Sequence, residues 1–514
     1  MNKHDKALQL IKELEDNQDR PISPDLKENL DHLTLLTEGC SDIVFRQFDF
    51  GSGLCGFIVY IEGIVKSEHI QDHALRPFLR HLTDQIEEHE EALQNTLSIS
   101  SVTAETSLTK VASSIIEGNA VLFADKHSKC LILKIKGGQR RSIEEPITES
   151  TIRGSREGFT ESLRVNTALV RFRVKTFQLK MLSFKIGTKT KTDIVLAYID
   201  GLADPKVIDK VKKRIKNIKI DSVLESGYIE EFIEDNTYSP FPQLQYTERP
   251  DTVAAQLLEG RFAIFTDNTP FVLTGPITFW QLMQASEDYY ERYLMSNLIR
   301  WLRYMFLFVA LYLPAIYVAV ITYHQDLMPT NLMFSVASAR EPIPFPAIVE
   351  ALIMEISFEA LREAGVRLPK TIGQTVSILG ALVIGTAAVE AGIVSAPMVI
   401  IVSLTGIASF TIPRFNLAIS IRMLRFPFMF LASIFGIFGI MLGTILLVLH
   451  LCKLQSFGIP YLSGISPFKR EEVKDIFVRA PWWTMTRRPG TYSRGNGQKG
   501  AKREEPQEDE ENNI

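Results

Sequence analysis

The sequence predicts an α/β cytoplasmic region of two similar, duplicated subdomains, followed by an all-α helical membrane domain. Three observations predict it. An uncharged 20-residue run, YMFLFVALYLPAIYVAVITY (304–323), divides a polar front half from an apolar back half. In the front half, one pattern of strands, helices and a hairpin occurs twice. Behind the run, further long apolar stretches follow at once.

At about 1.5 Å rise per residue, a helix as long as that run covers roughly 30 Å, the thickness of a bilayer's hydrocarbon core. Arg300 and Arg303 precede it, and Trp301, Tyr304 and Tyr323 frame its ends. This is the layout of a helix entering from the positive, cytoplasmic side. The N-terminal 20 residues are charged and lack an apolar core segment, so no signal peptide is expected and the front half should stay cytoplasmic. A net charge of −4 argues against a nucleic-acid partner. Cys40, Cys55, Cys130 and Cys452 show no CxxC spacing and read as reduced thiols, neither a disulfide frame nor a zinc site.

The expected order along the chain is an N-terminal helical extension (1–39), a first α/β subdomain (40–140) and a basic linker helix (141–175). A second α/β subdomain (176–277), a connecting helix (278–303) and a membrane domain of four to five spans (304–455) come next. The C-terminal segment (456–514) ends in a polar, Gly-rich, charge-blocked tail that should be disordered.

The duplication extends to residue identity. YIEGIVKSEHI (60–70) aligns with YIDGLADPKVI (198–208), and VASSIIEGNAVLFAD (111–125) with VAAQLLEGRFAIFTD (253–267). Two landmarks at nearly one offset imply two copies of one module. Each copy reads as a small sheet domain, thioredoxin-like or related, with the Gly after the acidic residue permitting a tight strand-to-helix turn. Between the copies, Arg156, Arg164, Arg171 and Arg173 make residues 148–175 strongly basic. Such a helix binds a partner's acidic surface or an anionic leaflet, or else serves as a linker laced with ordinary salt bridges.

Catalytic motifs are not apparent. GSGLCG (51–56) fits GxGxxG, but it precedes a strand instead of opening a helix, so a phosphate would lack a helix N-terminus to sit on. There is no P-loop, HExxH or GxSxG. Neither enzymatic activity nor a cofactor or metal is expected.

The membrane half holds carboxylates where they are costly. From about Thr278 a single long helix should run into the 304–323 span. After EPIPFP (341–346), a helix places Glu355, Glu359 and Glu363 four apart on one face, with Glu350 at its edge. A carboxylate facing lipid costs a few kcal/mol. Three readings remain open: a water-filled ion path, a helix lying at the membrane surface, or structural ion pairs. The next span (373–395) adds Glu390 and a small-residue stripe of Ala381, Gly385, Ala388 and Gly392. Further spans are 396–412 and 427–451, the latter with Gly439 and Gly443 as a small-xxx-small pair suited to helix packing. Arg362, Arg367 and Lys370, then Arg414, Arg422 and Arg425, mark two loops as cytoplasmic. Five spans put the C-terminus outside, yet the basic tail looks cytoplasmic, so one segment should be re-entrant.

Several stretches resemble one family. SREGFTESLRVNTALVRFRVK (155–175), ESGYIEEFIED (225–235), SPFPQLQYTERPD (239–251), LLEGRFAIFTDNTPFVL (257–273), EDYYER (287–292), LREAGVRLP (361–369) and SFTIPRFNLAISIRMLR (409–425) look like the GerA family, the A subunits of spore germinant receptors. The resemblance covers about residues 40–480. It implies a multi-pass protein of the spore inner membrane whose large N-terminal region faces the core. It also implies work beside a transporter-like B subunit and a lipoprotein C subunit, and assembly into a homo-oligomeric, nutrient-gated channel for monovalent cations in contact with membrane lipid. A membrane-anchored scaffold and a secondary transporter are the alternatives. Conductance separates channel from scaffold, and an inverted repeat, absent from these spans, would mark a transporter.

Overall fold

The computed structural model describes residues 20–49, 55–65, 70–75, 101–135, 137, 145–146, 148–369, 373, 380, 385–485 and 487–493, with Lys6, Gln9, Leu10, Ile11 and Glu13. The chain divides into two units. One comprises Met1–Asp235, Leu244–Pro276 and Trp482–Ile514, and the other Asn236–Gln243 and Ile277–Pro481.

In the first unit, α1 (Leu26–Leu36) starts where the Asp25 carboxylate accepts from the Lys27 amide at 2.9 Å, a cap that satisfies one orphan donor of the first turn. There follow β1 (Ile43–Asp49), β2 (Cys55–Ile61), β3 (Val102–Glu105), α2 (Leu108–Ile116), β4 (Ala120–Ala124) and β5 (Cys130–Leu133). Next comes α3 (Leu163–Arg173), then β6 (Leu179–Ile186), β7 (Thr192–Ile199), α4 (Pro205–Asn217) and α5 (Ser226–Ile233). The last elements are β8 (Gln245–Thr247), α6 (Pro250–Leu258), β9 (Phe262–Thr266) and β10 (Val272–Gly275).

The strands form two five-stranded sheets, ordered β1-β2-β4-β5-β3 and β6-β7-β9-β10-β8. Counted within each module, the two orders are the same. The glycines that close the paired motifs also match: Gly63 and Gly201 have φ of +82° and +81°, and Gly118 and Gly260 have +91° and +93°. Such angles exclude most side chains, so the same residue was retained in both copies for the same backbone reason. The uninterrupted apolar runs AVLFA and FAIFT are the central strands β4 and β9, buried along their whole length. The thioredoxin-like expectation is not met. Such a sheet contains a parallel pair, whereas every pairing between named strands here is antiparallel.

In the second unit the single connecting helix expected from residue 278 is instead three pieces: α7 (Phe279–Leu282), α8 (Glu287–Tyr290) and α9 (Tyr293–Tyr323). The break has a local cause, since Asp288 turns inward and its carboxylate accepts from the Ala285 amide. Then come α10 (Thr330–Arg340), α11 (Ala347–Arg367), α12 (Ala396–Phe410) and α13 (Phe415–Lys453). Among the described residues, α9 and α13 are long and apolar enough to cross a membrane, and α12 is a shorter apolar helix. Residues 374–379 and 381–384 of the expected span 373–395 lie outside the described residues, as does the tail beyond 493.

The span expected over 427–451 is not one helix. Gly436 has φ 62° and ψ −140°, outside any helical region, and the chain doubles back there. Thr444 on the second arm and Phe428 on the first both meet Tyr312 of α9. A Cβ at Gly443 would lie 2.9 Å from the Phe428 ring, although 15 residues of straight helix would separate them by about 22 Å.

Candidate functional site

The helical unit is built around charges held by other charges. At the N-terminal end of α9, the inward Asp288 receives Arg303 at 2.9 Å and Arg300 at 3.4 Å. Arg300 also reaches Asp475, at 3.1 Å to its carboxylate and 2.6 Å to its carbonyl. Trp301 donates to the Phe477 carbonyl, Tyr304 to the Ile476 carbonyl, and Asn297 to that of Arg479. Residues 475–479 are therefore a strap tied across the start of the first long apolar helix. Arg300 and Arg303, read from sequence as topology markers, are buried and neutralised.

The acidic row on α11 has separate environments. Glu350 is fully buried. It receives Arg340 at 3.0 Å, and the Ser395 amide and hydroxyl at 3.1 and 2.9 Å. Glu355 is buried and receives Nη1 of Arg425 at 2.5 Å, while Arg425 Nε donates to the Ala310 carbonyl of α9 at 2.9 Å. Glu355 Oε1 and Arg425 Nη2 are buried without a hydrogen-bond partner. Glu359, half-exposed, lies 3.0 Å from Arg362 and 3.5 Å from Arg422. Glu363 pairs with Arg367 at the exposed end. Glu390 is exposed.

These positions correct the pore expectation for Glu350 and Glu355. Their charges are compensated inside the chain, which is the ion-pair reading of the row, because a buried carboxylate left alone would cost several kcal/mol. Arg422 and Arg425 are corrected with them. They belong to a helix, not a loop, and α11 meets α13 through the rungs Glu355–Arg425 and Glu359–Arg422.

Of the packing residues, Ala381 lies outside the described residues. Gly385 approaches Val399 of α12, and Ala388 packs on the core of the unit. Gly392 is a turn residue (φ +64°) instead of part of a helical stripe. Gly439 and Gly443 do pack closely, but within one chain. A Cβ at Gly439 would sit 2.1 Å from the Leu431 carbonyl oxygen of the opposite arm.

On the basic linker helix, two of the four arginines offered as partner-binding candidates are held inside the chain. Arg171 is fully buried and makes a two-pronged pair with Asp42, both contacts 2.9 Å, and donates to the Thr176 carbonyl at 3.0 Å. Burial alone would push its guanidinium down, but the adjacent Asp42 carboxylate, together with Cys40, more than offsets this and the net direction is up. Arg173 binds Glu157 and the Leu169 carbonyl. Helix α3 thus joins the two modules: Ala168 lies in the core of the first, Leu169 and Val170 in that of the second. Arg164, though exposed, lies 2.9 Å from Glu62, and exposed Arg156 is 4.0 Å from Glu145. Neither Arg171 nor Arg173 is available to a partner. Among the described residues no group of His, Cys, Asp or Glu could hold a metal.

Sequence reasoning missed the basic partners Arg340 and Arg425 and the acidic anchors Asp42, Asp288 and Asp475. The available signal was that an Arg inside an apolar stretch and a Glu inside another need each other.

The Bacillus/Clostridium GerA spore germination protein family matches residues 31–491. The chain is 95% identical over 514 residues, all of both chains, to "Uncharacterized membrane protein YfkQ" of Bacillus subtilis (strain 168). It is 46% identical over 489 residues to "Spore germination protein KA" of the same organism, covering 95% of this chain and 90% of that one. It is 39% identical over 457 residues to "Spore germination protein GerLA" of Bacillus cereus, covering 87% of this chain and 92% of the relative. Among solved structures, the N-terminal domain of the A subunit of the Bacillus megaterium spore germinant receptor GerK3 is 39% identical, with a TM-score of 0.40, covering 51% of this chain and 99% of that one.

Proposed function

Because the chain belongs to the Bacillus/Clostridium GerA spore germination protein family, we propose that it is the membrane subunit of a nutrient-responsive germinant receptor. The family match over residues 31–491, which spans both units, carries the reading. In it, the helical unit sits as a multi-pass body in the spore inner membrane, with the α/β unit on the core side. The chain works beside a transporter-like B subunit and a lipoprotein C subunit, and copies assemble around a germinant-gated path for monovalent cations.

Within this reading, the four acidic candidates divide by their surroundings. Glu350 and Glu355 hold the bundle together, while Glu390 is exposed and Glu359, though paired with Arg362 and Arg422, is half-exposed, so copies of the chain can bring these two carboxylates to a common conduit. Rings of such carboxylates concentrate cations and repel anions. Purified protein in planar bilayers tests this. The reading expects cation-selective conductance that falls when Glu359 and Glu390 are both changed to Gln. Bilayers that stay silent with active, folded protein support an anchoring scaffold instead.

A further inference from the structure

A second strongly basic helix of the α/β unit is α4. Six of its thirteen residues are Lys or Arg. Val207, Ile208, Val211 and Ile215 face the protein, which leaves Lys206, Lys213 and Lys216 in solvent, with Lys219 just beyond the helix. These four lysines have no ion pair among the described residues. The hairpin turn between β6 and β7 is tied to the end of α4, with the Lys189 amide donating to the Asp221 carbonyl at 2.8 Å, and it adds Lys189 and Lys191 to the same corner.

Nearby acids are mostly engaged. Asp209 pairs with Lys212, Asp221 with Lys189, and Asp235 with both Lys210 and Arg214. On α5, Glu225 accepts from Ser226 and Thr269, and burial followed by the neighbouring Glu234 pushes Glu230 up to about 7. Glu231 stays exposed. Along α5 and its approach, Leu224, Tyr228 and Phe232 follow one another at intervals of four, 63%, 40% and 53% exposed. Helices α4 and α5 pack together, with Arg214 also donating to the Ile233 carbonyl.

Exposed lysines beside exposed aromatic and leucine side chains are what an interfacial surface needs: apolar groups for the headgroup boundary and cations for its charge. We propose that α4 and α5 form a docking surface for an anionic lipid bilayer. Two arguments select that occupant. The surplus of unpaired charge is cationic, and the chain leads from α5 straight to the helical unit. Six residues after Ile233, Ser239 hydrogen-bonds His450 near the end of α13 at 2.8 Å. The inference rests on the reading that the helical unit sits in a membrane.

Full-length protein in nanodiscs of phosphatidylcholine, alone or mixed equally with phosphatidylglycerol, tests it by hydrogen–deuterium exchange. Incorporation into both discs is expected from the membrane reading, and failure to enter either removes that reading and this one together. Given incorporation, residues 205–219 and 224–233 should exchange more slowly in anionic discs only, and should lose that protection in 0.5 M salt, where screening shortens to a few ångströms. Replacing Lys206, Lys213 and Lys216 with Gln should weaken docking on the order of 100-fold, at about fivefold per lysine, whereas Arg at all three should preserve it. Equal exchange in the two discs overturns the proposal. Protection that is already present in detergent and grows with protein concentration overturns it in favour of a second copy, and protection that survives the Gln triple variant refutes the role of the lysines.

Discussion

Neutralising Glu355 distinguishes a carboxylate that conducts from one that holds helices. In the structure Glu355 and Arg425 are both about 3% exposed, 2.5 Å apart, and Arg425 also binds the Ala310 carbonyl of α9. One contact set therefore joins α11, α13 and α9. Glu355→Gln leaves a guanidinium buried without its counter-charge, and breaking such a pair from one side costs about 3–5 kcal/mol. At about 2–4 °C per kcal/mol for a body of this size, the thermal midpoint should fall by about 6–20 °C. The double change Glu355→Gln with Arg425→Met removes both charges, and a buried pair replaced as a unit is close to neutral, so most of that loss should return. Fluorescence-monitored melting of the full-length protein in mild detergent measures both. An unchanged midpoint for Glu355→Gln, together with reduced cation release from spores, would show that Glu355 lines the path. A double variant that melts at the sum of the two single losses would refute the pairing.

Three further outcomes are expected. Asp42→Asn leaves Arg171 buried without its counter-charge between the two modules. It should destabilise the α/β unit by about 3–5 kcal/mol, while Asp193→Asn, at an exposed pair, should cost under about 1 kcal/mol in the same denaturant titration. Gly439→Leu forces the arms of α13 apart, so folded yield should fall, whereas Gly227→Ala, in open space on α5, should leave yield unchanged. Glu230 binds its proton more tightly in the folded state, because burial and Glu234 raise it to about 7. Stability should therefore decline as pH rises from the ordinary carboxylate range to about 7 and level off above, and Glu230→Gln should flatten that segment of the pH–stability curve.

Local pattern made the duplicated sheets legible. Alternating or continuous apolar runs marked eight of the ten strands, and the paired Tyr-Ile-acid-Gly motifs marked the repeat itself. The two strands that escaped, β3 and β8, are four and three residues long and close one edge of each sheet, too short to leave a periodicity. The candidate site was legible only as an oddity, carboxylates in an apolar stretch. Their partners lie 10 residues away for Glu350 (Arg340) and 70 for Glu355 (Arg425), distances over which sequence spacing says nothing about contact. Charge counting failed for a related reason. Arg171, Arg300, Arg303 and Arg425 counted as free cations in the sequence, and all are neutralised in the fold.

Gly436 changes the end of the helical bundle to which the chain returns after Lys453. If 427–451 were one span, the basic residues after Lys453 would emerge opposite the start of α9. The doubled-back α13 removes that consequence. Its bend meets Tyr323 and His324 at the far end of α9, where a Cβ on Gly436 would come within 2.6 Å of the His324 ring. Its two open arms are joined at the other end, because Ser420 on the first donates to the Pro240 carbonyl and His450 on the second pairs with Ser239. Residues 475–479 then lie against Asn297, Arg300, Trp301 and Tyr304, at the beginning of α9. The chain therefore returns to the end of the bundle from which α9 sets out. A single residue achieves this because φ 62° with ψ −140° is open to glycine and closed to nearly everything else.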